Sequence, residues 1–241
     1  MKKYKKSINE KVICKNYGSI PHMSTSKMTQ QADKKITMGQ ELILTKKARD
    51  YKDLIIVTEK IDGSNVGVLK KDGKLIPITR SGYTALSSPY KQHHEFNKWV
   101  YGNNKLFSWL PEGCRVCGEW TIQTHGIKYN IESESPFMAF DIIDKNNKRL
   151  TFLNTLKLCV KYNIPVVRLL HIGQPINIKN AVDLLYKNPY GKTKTPEGVV
   201  YRVERNNNVE FLAKWVRADK EDGKYIKYGI YNEGWQTAIK K

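Results

Sequence analysis

Between residues 54 and 79 the chain breaks into short apolar runs separated by turn residues, a pattern that limits the fold more than any other feature of the sequence. Leu54-Ile55-Ile56-Val57-Thr58 reads as a buried strand, Gly63-Ser64 as a turn, and Asn65-Val66-Gly67-Val68-Leu69 as the returning strand. Asp72-Gly73 is a hairpin signal leading into a third strand, Lys74 to Thr79, because a two-residue turn needs left-handed backbone that these residues tolerate. Strands joined this tightly pair antiparallel.

Residues 90–110 carry apolar side chains at helical spacing: Phe96, Trp99 and Val100, then Leu106, Phe107 and Leu110. Strands are expected at 114–122 and 136–143, an amphipathic helix from Asn154 to Tyr162, a shorter one from Ile178 to Tyr186, and two last strands at 198–204 and 209–216. Residues 1 to about 50 are polar with few periodic signals, Ser24 to Lys35 reads as a loop, and the stretch from Asp219 onward is polar and aromatic. Short strands in hairpins with a few helices between them predict an α+β fold of antiparallel sheets flanked by helices. The 241 residues suit one domain, with residues 1–15 a basic, flexible tail.

Hydrophobic residues make up 40% of the chain, enough for a core. There is no apolar run of about 18 residues, so no transmembrane helix is expected, and no apolar stretch follows the basic start Met1 to Lys6, so no secretory leader is expected. Lys and Arg number 42 against 23 acids, a formal charge of +19. A protein this basic calls for a polyanionic partner, nucleic acid first and an anionic membrane second. The membrane reading is weakened by the lack of a basic amphipathic helix with aromatic anchors. A lysine-rich compositional bias accounts for part of the excess. Of the four cysteines only Cys114 and Cys117 lie close together, and a structural zinc site normally needs a second such pair. Cys117 falls in an expected strand and reads as a small core residue. Reduced thiols and a cytoplasmic setting follow.

The segment Thr58-Glu59-Lys60-Ile61-Asp62-Gly63-Ser64-Asn65 sets a lysine directly after a buried strand, a carboxylate two residues on and a glycine at the turn. The strand holds the lysine rigidly and the glycine permits close approach by a ligand. Read alone, the segment is equally an ordinary hairpin whose lysine and aspartate are solvated. Four more blocks follow in order: Gly118-Glu119-Trp120, Phe137-Met138-Ala139-Phe140-Asp141, Glu197-Gly198-Val199-Val200 and Leu212-Ala213-Lys214-Trp215. Together with Lys60, Asp62 and Gly63 they resemble the motifs of the covalent nucleotidyltransferases: DNA ligases, RNA ligases and mRNA-capping enzymes. Asn65 stands where DNA ligases and capping enzymes usually carry arginine, and Arg80 follows the lysine by about twenty residues. Both features are similar to the phage RNA ligases that seal nicked duplex RNA. Tyr17-Gly18-Ser19-Ile20-Pro21-His22 resembles the opening segment of such ligases. Gly39-Gln40-Glu41, Lys47-Ala48-Arg49-Asp50, Ser87-Ser88-Pro89-Tyr90 and Asp219-Lys220-Glu221-Asp222-Gly223 resemble a compact phage and bacterial subgroup.

The resemblance implies a nucleotidyltransferase (ATP-grasp-like) domain and an ATP-dependent RNA ligase that works through lysine–AMP and RNA–adenylate intermediates. It implies ATP and Mg²⁺ (or Mn²⁺) as cofactors and RNA as partner. Lys60 would be the nucleophile. An amine must be neutral to attack, so burial or neighbouring cations are required around it. Lys214 would reach the α-phosphate and stabilise the transition state. Glu119 would bind ribose, Phe140 would stack on adenine, and Glu59 would lie at the base edge. Glu197 would hold the metal, since a hard cation wants oxygen ligands, and Asp62 would orient Lys60 or the metal. Asn65 and Arg80 would touch phosphate or the RNA end. Outside the resemblance, Glu119 and Glu197 are equally well explained as partners of nearby lysines, and Phe140 as core.

Two positions depart from the pattern: Arg202 and Val216 stand where the nick-sealing branch usually has lysines. Arg202 would keep the charge with altered geometry. Arg217 follows Val216, and adjacent strand residues face opposite sides. Only 27 residues follow Lys214, too few for the OB-fold domain of DNA ligases or the helical domain of larger RNA ligases. RNA would then be held by this domain, by the lysine-rich N-terminus or by an RNA-binding partner protein. A monomer is expected, in the cytoplasm of its cell or, if phage-encoded, of the host. His93 and His94 read as solvated or capping residues, with RNA contact as the other option. A DNA ligase, a capping guanylyltransferase and a non-catalytic RNA-binding module of the same fold remain the competing readings.

Overall fold

The computed structural model describes residues 12–28 and 33–240. Among the described residues eight strands form two four-stranded sheets in which every pairing of neighbouring strands is antiparallel. The first contains β1 (Asp53–Lys60), β6 (Leu169–Gly173), β7 (Gly198–Arg205) and β8 (Asn208–Val216), in the order β6-β1-β7-β8. The second contains β2 (Ser64–Lys71), β3 (Lys74–Thr79), β4 (Arg115–Trp120) and β5 (Phe137–Ile143), in the order β3-β2-β4-β5. Among the described residues the α-helices are α1 (Met38–Thr45), α2 (Lys91–Gly102), α3 (Phe152–Lys161), α4 (Ile178–Lys187) and α5 (Trp235–Ala238), joined by four short 3-10 turns. The α+β reading from sequence is met.

Alternation along the strands sorts each sheet into a core face and a second face. Ile55 and Val57 of β1, Val199, Tyr201 and Val203 of β7 and Ala213 of β8 pack with Leu44 of α1 and with Ala181 and Leu185 of α4. Lys60, Arg202 and Lys214 have the opposite parity. In the second sheet Val66, Val68, Val116, Trp120 and Phe137 pack with Phe96, Trp99 and Val100 of α2, which sends Asn65, Glu119 and Phe140 to the other side. Asp72 and Gly73 both have positive φ, 51° and 69°, and close the tight β2–β3 hairpin as expected.

One expected pairing is wrong. Residues 54–58 and 65–69 do not form a hairpin: β1 pairs with β6 and β7, while β2 pairs with β3 and β4. Gly63-Ser64 therefore carry the chain from one sheet to the other. The reason lies in β1 itself, which is buried along almost its whole length. Such a strand needs a partner on each edge and cover on both faces, which a local hairpin does not supply. Three elements escape the sequence reading, among them the short helix α5 in the polar and aromatic last stretch. Helix α1 starts at a capping box, with Thr37 and Gln40 satisfying each other's backbone. The edge strand β6 is only partly buried.

Cys117 is buried among strand residues and all four thiols are free. The lysine-rich start, Met1 to Lys6, lies outside the described residues, as do positions 29–32 of the expected 24–35 loop. Among the described residues no helix is long and apolar enough to cross a membrane.

Candidate active site

A cleft of about 910 Å³ opens between the two sheets, and all ten residues singled out from sequence border it: Glu59, Lys60, Asp62, Asn65, Arg80, Glu119, Phe140, Glu197, Arg202 and Lys214. They arrive from both sheets because the cleft lies between the faces that strand alternation leaves free of the helix-covered cores.

Lys60 ends β1 with its Nζ 2.7 Å from Glu197 Oε2. Glu197 precedes β7, whose Gly198 is the register partner of Lys60. The second oxygen of Glu197 accepts from Lys220 Nζ at 2.6 Å. Lys220 also donates to Asp62 Oδ1 at 2.9 Å and to Asp222 Oδ1 at 2.5 Å. Burial opposes the charge on Lys220, but Glu197 and Asp62 outweigh it and raise its pKa above the ordinary lysine value. The other oxygen of Asp62 accepts the backbone N–H groups of Gly126 and Ile127, at 2.6 and 3.0 Å. Asp62 is thus fixed by main chain rather than by Lys60.

Gly63 donates its N–H to Glu119 Oε1 at 3.0 Å. A Cβ at this position would lie 2.5 Å from the Trp120 carbonyl oxygen, so the close approach requires glycine. Burial pushes the Glu119 carboxyl up to about 8; Lys60 pulls it down, while Glu197 and Asp62 add to the rise. Burial also lowers Lys214, and Lys60 pushes it the same way. Phe140 meets Tyr17 edge to face, with ring centroids 5.2 Å apart. Arg80 binds the 17–19 segment, donating to the Gly18 carbonyl at 2.8 Å and to Ser19 Oγ at 2.7 Å.

Two predicted contacts have their charged groups turned elsewhere. The Glu59 carboxylate accepts from the Tyr190 N–H at 2.9 Å and from Arg168 Nε at 3.3 Å. Its strand parity is opposite to that of Lys60, which accounts for this. Arg202 is buried and ion-paired with Asp141, and it also donates to the carbonyls of Phe140 and Leu150. Asp141, fully buried, takes Arg149 Nε at 3.0 Å and the Tyr17 hydroxyl at 2.5 Å as well. The charge that Arg202 keeps at this family position is therefore committed to Asp141 and two carbonyls.

His93 is neither solvated nor a cap. It is buried in the cleft wall and bridges Ser64 Oγ at 2.6 Å and Ser88 Oγ at 2.5 Å. Burial pulls its pKa down to about 4, so the imidazole is neutral near pH 7. Half-buried His94 meets the Ser88 carbonyl at 2.7 Å. Lys220 and Asp222 were not read as site residues from sequence. The only signal was the Asp219-Lys220-Glu221-Asp222-Gly223 stretch, to which no role attached.

The residues suit a divalent cation. Asp62, Glu197 and Asp222 each offer an oxygen, and these atoms all lie within 4.8 Å of one another. Oxygen-only donors match Mg²⁺ or Mn²⁺. The Lys220 ammonium is paired with the same three carboxylates.

Comparison with known proteins gives consistent results. The RNA ligase family model matches residues 53–216. An uncharacterized protein of Methanocaldococcus jannaschii is 26% identical over 144 residues, covering 58% of this chain and 36% of the relative. An archaeal ATP-dependent RNA ligase superposes with a TM-score of 0.52 at 16% identity, over 83% of this chain and 48% of that one. A Naegleria gruberi RNA ligase variant with ATP and Mn superposes with a TM-score of 0.56 at 19% identity, over 89% and 62%. A putative ATP-dependent DNA ligase from Aquifex aeolicus gives 0.52 at 18%, over 83% and 49%. At these identities the structures establish a shared fold. This chain spans 36% of the curated relative's length and about half of the archaeal ligase.

Proposed function

Because the chain belongs to the RNA ligase family, we propose that it is an ATP-dependent RNA ligase in which Lys60 carries AMP. The observation that carries this reading is the 2.7 Å contact between Lys60 Nζ and Glu197 Oε2, made in a cleft that Glu119, Phe140 and Lys214 also line. Lys60 gives up a proton, and the carboxylate oxygen beside it is placed to accept one. The freed amine then attacks the α-phosphorus of ATP. An N–P bond forms, the bond from the α-phosphorus to the bridging oxygen breaks, and pyrophosphate leaves with the electron pair. Lys214, whose ammonium is destabilised by burial and by Lys60, gains from an incoming phosphate charge. Glu119 faces the ribose and Phe140 the adenine, with Tyr17 edge-on to the Phe140 ring. A divalent cation held by Glu197, with Asp62 and Asp222, would neutralise phosphate charge.

The adenylate then passes to an RNA 5′-phosphate, whose oxygen attacks the same phosphorus and releases Lys60. Attack of a 3′-hydroxyl on the activated 5′-phosphate closes the phosphodiester bond and expels AMP. Electrostatic attraction from the +19 charge supports RNA binding, which is then steeply salt-dependent. The fold shared with a putative DNA ligase motivates a second reading, DNA sealing. A panel of RNA, DNA and mixed strands, nicked or single-stranded, incubated with ATP and Mg²⁺ separates the two. Sealing of RNA ends ahead of DNA is expected, and faster sealing of nicked DNA would overturn the RNA assignment.

A further inference from the structure

Lys220 lies outside residues 53–216, the part of the chain that the family model matches, yet it reaches the centre of the cleft. Its side chain is 3% exposed. An ammonium has three N–H donors and no acceptor. Here each donor meets a different carboxylate: Asp62 at 2.9 Å, Glu197 at 2.6 Å and Asp222 at 2.5 Å. These are the three groups whose oxygens cluster closely enough to hold a metal ion. The match of three donors to three acceptors leaves Lys220 no unused hydrogen-bonding capacity.

The segment that delivers Lys220 is built in. Arg217 donates its N–H to the Glu197 carbonyl at 3.1 Å, and Lys220 donates its own to the Arg217 carbonyl at 3.4 Å. The Glu221 carbonyl packs on Gly126, where a Cβ would approach to 2.3 Å. Gly126 in turn donates to Asp62. The backbone on both sides of Lys220 is therefore tied to the residues that its ammonium contacts.

We propose that Lys220 is an internal cation that fills the divalent-ion position of the nucleotide-free protein. Three carboxylates converge on one point, and their mutual repulsion demands a positive charge there. A metal ion competes with Lys220 for the same three carboxylates, and to seat itself among them it must displace an ammonium that makes three charge-assisted hydrogen bonds. Free protein consequently takes up divalent metal poorly at this triad. The metal used in the reaction enters with the nucleotide, whose phosphates add ligands that the protein alone lacks. The inference rests on the ligase reading for the reaction it serves, but Lys220's hold on the triad does not depend on adenylation.

The test is Mn²⁺ binding to nucleotide-free protein, followed by calorimetry and by loss of the free-ion spin-resonance signal, on wild type, Lys220→Met and Lys220→Met/Asp222→Asn. Lys220→Met keeps the side-chain bulk and removes the charge. It is expected to bind one Mn²⁺ at least tenfold more tightly than wild type, and the added Asp222→Asn is expected to abolish that gain. Equal affinity in wild type and Lys220→Met overturns the proposal, as does a gain that survives Asp222→Asn. If Lys220→Met does not fold, wild type decides alone. Tight Mn²⁺ binding by wild type without nucleotide, lost on Asp222→Asn, overturns it; weak binding that Asp222→Asn leaves unchanged supports it. Failure of adenylation with these metal results intact would instead count against the ligase reading.

Discussion

Lys60 Nζ and Glu197 Oε2 are 2.7 Å apart, although 137 residues separate them in the chain. The pairing of β1 with β7 makes this contact, because Lys60 and Gly198 are register partners at the end of the ladder. Glu197 sits one residue before that ladder, and its other oxygen faces Lys220. One buried carboxylate is thereby held between two ammonium groups from different parts of the chain. The geometry around the lysine is a consequence of strand register, and it tolerates little displacement of β7.

Gly198→Ala tests that dependence. An added Cβ would lie 2.0 Å from the Trp215 carbonyl oxygen, a main-chain atom that cannot rotate away. Strands β7 and β8 must part to admit it. A loss of roughly 3 kcal/mol is expected from overpacking, with a fall of several degrees in Tm. Thermal unfolding monitored by circular dichroism reads the change directly. An unchanged Tm would show that the strands relax freely here.

Arg202 separates structural from phosphate-binding roles. Its guanidinium is held by Asp141 and by two carbonyls, so Arg202→Met strips a partner from a buried carboxylate. About 3 kcal/mol of stability is expected to be lost. The ATP concentration at half-maximal adenylation should stay within a few-fold of wild type for the folded fraction. A large rise in that concentration with an unchanged Tm would instead assign Arg202 to the nucleotide.

Glu119 ties stability to pH. Its carboxyl is raised from 4.5 to about 8 in the folded protein, so the native state holds this proton more tightly than the unfolded chain. The linkage slope is then negative. Stability contributed by the protonated form is complete below about 4.5 and is lost as pH rises toward 8. Glu119→Gln removes this loss. The variant should gain roughly 2 kcal/mol over wild type at pH 8 relative to pH 5, allowing for water in the open cleft. Urea unfolding of both proteins at the two pH values measures it. His93 and the other lowered histidines cancel in the difference. Equal pH dependence in the two proteins would contradict the raised carboxyl.

The sequence was informative where chemistry and periodicity coincide in a short stretch. Asp72-Gly73 announced its hairpin because the turn imposes positive φ on both residues. Strands β3, β7 and β8 follow from local patterns of the same kind. Pairing across sheets is not local. Leu54–Thr58 was legible as a strand, but its partners lie more than 100 residues away, and the nearer candidate at 65–69 was the wrong one. Strand β6 is a five-residue edge, and its apolar residues Leu169, Leu170 and Ile172 are partly exposed and show no alternation of buried and exposed positions, so no strand period marks it. The site residues were visible through ordered motifs, which report identity and not orientation. Glu59 faces away from Lys60 by simple alternation, and Arg202 is committed to Asp141 through a network that includes Tyr17 and Arg149. Lys220 carried no motif role. Only folding brings it to Glu197, the carboxylate that Lys60 also contacts.

The most direct test of the account is the site of nucleotide attachment. Purified protein is incubated with α-labelled ATP and Mg²⁺, digested, and mapped by mass spectrometry beside Lys60→Ala. The account predicts an acid-labile AMP adduct on the peptide bearing Lys60, formed with release of pyrophosphate and absent from the variant. Labelling of Lys60→Ala at the wild-type level, or an adduct mapped to Lys214 or Lys220 instead, would contradict it.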